Sequence, residues 1–147
     1  MSNTFNTDER FNLYEREGEE NFRNYLKDNN FTTGERIVYV VQQPPAIINL
    51  SGALEYGKIA VCVSEKSQLI FSPGPFLQKL RRIFRDITPE DHLLLIGDPA
   101  IIALATCAVS ERTSGQFNLL KWDRIARKYY PLHFDLYNKE EALDDQY

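Results

Sequence analysis
Three runs of the chain are apolar almost without a break: "RIVYVVQQ" over 36–43, "KIAVCVS" over 58–64 and "HLLLI" over 92–96. A strand with one face in water alternates apolar and polar residues, whereas a strand covered on both faces has no reason to. Short β-branched runs of this kind call for a mainly parallel sheet with material packed against both sides. Parallel neighbours in turn call for long crossovers between them. Residues 44–57, "PPAIINLSGALEYG", are long enough for such a crossover but carry no long helical pattern. Between the second and third runs, "SPGPFLQKLRRIFRDI" opens with a Pro-Gly-Pro turn and continues as an amphipathic helix. Its inner face is Phe76, Leu77, Leu80, Ile83, Phe84 and Ile87.

After the third run the pattern changes to a helix over 100–109 and then to two further strands, over 117–123 and 128–137, joined by the short "RIAR" of an antiparallel hairpin. In the last strand Tyr130, Leu132, Phe134 and Leu136 alternate with Tyr129, Pro131, His133 and Asp135, which predicts one covered face. Pro131 cannot donate to a ladder, so this strand belongs at an edge. Residues 8–28 place Phe11, Tyr14, Phe22, Tyr25 and Leu26 three or four apart in most cases, the spacing of a helix that Gly18 interrupts. The fold predicted is α/β: a small three-layer, mainly parallel, Rossmann-like sheet with a C-terminal antiparallel hairpin and an added N-terminal helix. The corresponding divisions are an acidic helical segment over 1–35, the α/β domain over 36–137 and an acidic tail over 138–147.

"LLLIGDPAIIALAT" (93–106) stops a strand at Gly97 and restarts at once as a helix. Asp98 suits the N-cap and Pro99 the first turn, where a missing N–H costs nothing. The free N–H groups at such a helix start attract anions. Here a carboxylate already stands at the cap, and neither a glycine-rich dinucleotide fingerprint nor a phosphate-loop Gly-Lys-Ser/Thr is present. The corner is complete as a structural device. It still lies where open parallel sheets bind ligands, beyond the carboxyl ends of the strands. The candidate ligand-binding residues there are Gln42, Gln43, Ser64, Gly97 and Asp98, with Glu65, Lys66, Ser72 and Gly74 nearby.

The helix "AIIALATCAV" carries no charge on any side, so either the N-terminal helix or a second copy of the chain must cover its outer face. Ala100, Ala103, Ala105 and Ala108 would admit a close neighbour. Cys62 and Cys107, both within apolar runs, read as buried reduced thiols of a cytoplasmic protein.

Charge is unevenly distributed. Residues 1–36 hold eight acids and five bases, and 134–147 hold five acids and one base. The stretch between has eleven bases and eight acids. A net charge of -4 argues against indiscriminate nucleic-acid binding. Two local basic groups remain: Lys79, Arg81, Arg82 and Arg85 on the amphipathic helix, and Lys121, Arg124, Arg127 and Lys128 around the hairpin with Trp122, Tyr129 and Tyr130 interleaved. Such a hairpin can stack on single-stranded nucleic acid, keep sheet edges apart, or dock on a protein, and exposed Trp and Tyr favour docking. The candidate interaction surface is Ala103, Trp122, Arg124, Arg127 and Tyr129. No catalytic residue, metal site or cofactor is predicted: His92 and His133 lack partners at metal-ligand spacing, and no Gly-x-Ser-x-Gly elbow occurs. No apolar run approaches the roughly 20 residues of a membrane span, and "MSNTFNTDERFNLYEREGEE" has no secretory pattern.

From residue 37 onward, "VYVVQQP", "YGKIAVCVS", "DHLLLIGDPAIIALATCAV" and "FNLLKWDRIARKYYPLHFDL" together resemble a group of small proteins encoded by tailed bacteriophages. The strand ending in Gly-Asp-Pro and the Leu-Lys-Trp-Asp hairpin carry most of that resemblance. It implies an accessory protein acting in an infected cell or within a virion, and it assigns no residue a role. Two functions follow as expectations. One is a non-enzymatic interaction protein, a homo-oligomer that engages a host or viral protein. The other is a nucleotide or small-anion binder, an enzyme among its forms, working at the strand-end crevice.

Overall fold
The computed structural model describes residues 35–45, 48–63 and 73–138. The expected helix over 8–28, the rest of the acidic ends, and Ser64, Glu65, Lys66 and Ser72 lie outside them. Five strands form one sheet: β1 (Ile37–Gln42), β2 (Lys58–Val63), β3 (His92–Leu94), β4 (Gln116–Asp123) and β5 (Lys128–Asp135). Their order across the sheet is β2-β1-β3-β4-β5. The first four are parallel and β5 is antiparallel to β4, as the hairpin pattern required. The chain is therefore an α/β protein with a mostly parallel, mixed sheet. The third strand is shorter than predicted, but its main chain keeps its partners to the end. Leu95 N–H donates to Leu120 O at 3.1 Å, and Ile96 O accepts from Gln42 N–H at 3.0 Å.

Both faces of the three apolar strands are covered. On one side, α1 (Pro73–Ile83) with the turn after it and α2 (Pro99–Arg112) pack Leu80, Phe84, Ile101 and Ala105 against Tyr39, Ala60, Cys62 and Leu93. Tyr39 and Phe84 meet edge to face at 5.5 Å. On the other side, the 3-10 helix Ser51–Tyr56 supplies Ala53, and Leu50 and Tyr129 join Val38, Val40, Val61, Leu94 and Leu120. The crossover over 44–57 thus contains one short 3-10 helix, in keeping with its lack of a long helical pattern.

Two expectations need correction. In β5 the apolar set is not covered: Leu132 and Phe134 are exposed, while Tyr129 from the opposite set is buried. The alternation reported polarity correctly, but β5 lies at the edge, where α1 and α2 do not shelter that face. Cys107 is exposed rather than buried, and both cysteines are free thiols. Within α2, Ile101, Ala105, Ala108 and Val109 are buried, whereas the exposed positions of its uncharged stretch include the small residues Ala100, Ala103 and Cys107.

The edge position of β5 has a consequence for its main chain. Leu120 O points to β3, and Leu120 pairs with Pro131, so the main-chain groups of Pro131 face away from β4. The proline sits where no internal ladder bond is lost. At the opposite end of the sheet's interior, the buried Asp91 carboxylate accepts from Ile37 N–H at 2.8 Å, Thr88 N–H at 2.9 Å and Thr88 Oγ1 at 3.2 Å. It thereby ties the start of β1 to the turn preceding β3. Asp91→Ala strands two main-chain donors, and we expect a loss of about 3 kcal/mol in a urea melt; a loss under about 1 kcal/mol would show that the tie is dispensable.

Candidate functional site
The strand order reverses between β1 and β3, so any crevice beyond the strand ends opens above Gln42 and Gly97. The structure brings three of the predicted ligand residues together there and bonds them to one another. The Gln42 side chain accepts from Asp98 N–H at 2.7 Å. Gly97 has φ of 134°, and a Cβ on it would lie 2.5 Å from Gln42 Cβ. Only glycine allows this approach. Asp98 caps α2, accepting from Ala100 N–H at 2.7 Å and Ile101 N–H at 3.4 Å. The donors that would hold an anion are thus engaged by the chain's own carboxylate. Gln43 is buried beside them, its N–H donating to Val63 O at 2.8 Å, and Ser64 lies outside the described residues.

The hairpin is arranged differently. Asp123 Oδ1 accepts from Ile125 N–H at 2.9 Å and Ala126 N–H at 3.2 Å, and Arg127 turns the chain back with φ of 54°. This small turn holds Ile125 out at the tip, 95% exposed. Arg124 and Arg127 stand exposed on either side of it. Sequence reasoning passed over Ile125, although an isoleucine inside "DRIAR" is an apolar residue in a loop otherwise chosen for polarity. Trp122 is 42% exposed, and its ring lies 4.9 Å from Tyr129. Tyr129, predicted as an exposed anchor, is only 4% exposed. Its hydroxyl donates to Asn49 O at 2.9 Å, and its carbonyl accepts from Tyr56 Oη at 3.4 Å. Burial pushes its phenol pKa up. Tyr129 is a core residue that supports Trp122. Ala103 stands apart from the hairpin, exposed on α2.

Of the two basic groups, the helix cluster is partly spent on other work. Arg81 forms a two-pronged pair with Glu111 of α2, both contacts at 3.0 Å. Lys79 lies over the Phe76 ring at 5.8 Å, and burial followed by the Arg82 charge lowers its pKa to about 8. The histidines have distinct settings. His133 Nδ1 is 2.7 Å from Asn118 Oδ1, while Asn118 Nδ2 donates to Pro89 O at 2.8 Å and Asp91 O at 3.2 Å. The amide is thus held by two carbonyls, and Oδ1 is left to accept from a protonated Nδ1. His92 is buried against Tyr56 at 5.3 Å, and its Nδ1 has no partner. No group of three or more potential metal ligands occurs among the described residues.

A small α/β protein with a closed strand-end corner and a projecting basic hairpin is what these elements define. The chain belongs to the family of Phage Pam3 gp32-like proteins, whose model matches residues 36–136. The phage resemblance carried by the Gly-Asp-Pro corner and the hairpin is thereby borne out. No curated protein and no solved structure matches the chain. No helix among the described residues is long and apolar enough to cross a membrane.

Two outcomes test this geometry. Gly97→Ala should cost about 3 kcal/mol in chemical denaturation, since the added methyl meets Gln42 at a strained φ; a near-neutral result would mean that the corner is loose. The second concerns acid. Burial and then the Arg36 charge hold the His92 imidazole below its ordinary value of 6.5, with Asp91 pulling the other way. The unfolded chain therefore takes up this proton first, so His92 costs no stability above about pH 6.5 and a growing amount as the pH falls below it. Asp91, whose carboxyl burial raises, works in the opposite sense at lower pH, where folding favours its neutral form. His92→Gln should flatten the decline in urea midpoint between pH 7.5 and 5.5, and an unchanged slope would assign the decline elsewhere.

Proposed function
We propose that this chain is a non-enzymatic phage accessory protein that docks its β4–β5 hairpin on a host or viral protein. The observation that carries this reading is Ile125, almost fully exposed at a tip held in shape by Asp123 and flanked by Arg124 and Arg127. A large apolar side chain presented rigidly between arginines has the makings of an interface anchor, because little ordering is left to be done on binding. The strand-end crevice offers less, since Gln42, Gly97 and Asp98 are already engaged with one another. The reading extends to a Rossmann-like, three-layer domain over 36–137 between acidic segments, working as a homo-oligomer in the host cytoplasm or the virion without a cofactor.

The experiment places a photo-crosslinking amino acid at position 125 of the full chain in infected cells, with the exposed position 85, in the turn after α1, as a control. Docking predicts one discrete adduct from position 125, lost when Arg124 and Arg127 are changed to Glu. The corresponding Ile125→Asp chain should keep its urea midpoint within about 0.5 kcal/mol of the original, as an exposed position should. Equal labelling from both positions would sink the docking reading. A thermal shift with a nucleotide would instead return attention to the Gly97 corner.

A further inference from the structure
Three large apolar side chains stand in solvent on the side of the sheet that carries the 3-10 helix: Ile48 at 40% exposure, Leu54 at 50% and Trp122. They are not scattered. The buried Tyr129 ring touches Trp122, its hydroxyl holds the carbonyl of Asn49 next to Ile48, and it lies 3.2 Å from where a Cβ on Gly52 would be, two residues before Leu54. The exposed side chains therefore belong to segments that one buried ring gathers on the same side of the sheet. Exposed apolar side chains grouped in this way mark interfaces, whereas lone ones do not.

The charge along the band has a direction. Asn49 meets Tyr129 near the hairpin end of the sheet, and Tyr56 meets His92 in the first row of β3, at the other end. The 3-10 helix thus runs from the tip end of the sheet towards the opposite end, and it carries the exposed Glu55 in its last turn. The exposed Arg124 and Arg127 rise from the tip end. A two-fold axis lying in the plane of this face, across its long direction, turns the two faces towards each other and reverses the long direction of one copy relative to the other. It lays the two apolar bands together and brings each Glu55 towards the arginines opposite. That self-complementarity is what an isologous contact needs.

We propose that the Ile48–Leu54–Trp122 band is the contact surface for a second copy of this chain. The proposal rests on the oligomer part of the reading above and not on its hairpin docking, because the dimer needs no other protein. Sedimentation velocity on the full chain across a dilution series tests it. A concentration-dependent dimer is expected, with Leu54→Asp raising its Kd at least about tenfold, the scale of losing one anchor. Glu55→Arg, and separately Arg124→Glu with Arg127→Glu, should each weaken the dimer, and the chain carrying all three changes should recover it. Circular dichroism and urea midpoints matching the original exclude unfolding as the cause. A monomer at every concentration overturns the proposal. So does a dimer indifferent to Leu54→Asp but broken by Ala103→Glu, which would place the contact on α2, and so does a triple variant no better than its parents.

Discussion

Everything else in the molecule is arranged around the fastening of β1 at both ends. At its start, the Asp91 carboxylate takes the N–H of Ile37; at its finish, the Gln42 side chain takes the N–H of Asp98. Both bonds cross to the segment that contains β3, so the two central strands are joined by side chains beyond the ladder that already pairs them. The residues between are apolar on both faces and have no polar means of fixing their own register. The polar bonds at the ends supply it, and apolar burial supplies the bulk of the stability.

This arrangement explains why the corner at Gly97 is better understood as architecture than as a ligand cradle. A phosphate site needs main-chain donors held open, whereas here one is taken by Gln42 and two by Asp98. The hairpin shows the reverse economy. Its turn satisfies its own N–H groups through Asp123 and leaves the side chains of Arg124, Ile125 and Arg127 without work inside the fold. Phage family membership assigns no chemistry to either place.

Much of the fold was legible because its signals are local. Continuous apolar runs announced covered strands, Gly-Asp-Pro announced the cap, and "RIAR" announced a hairpin; each is enforced by neighbours within a few residues. What failed depended on where an element lies in the sheet. The alternation of Leu132 and Phe134 with Pro131 and His133 could not reveal that the helices stop short of β5, nor that Tyr129 would turn inward to meet Asn49, eighty residues away in sequence. Of the candidate site, the pattern located the right corner but not the bonds that close it, and it missed Ile125 because loop residues were judged by charge alone.

Pro131 bears on how the chain behaves when crowded. The outer edge of β5 faces solvent with a proline at its centre, so it lacks a donor where an incoming strand would need one, and the carbonyl of Tyr129 is already engaged by Tyr56. A second sheet cannot continue this one past β5 by simple strand addition. That edge therefore does not seed fibrous growth as the protein accumulates, and contacts between copies on the β5 side are directed to side-chain surfaces, where their number and geometry are limited.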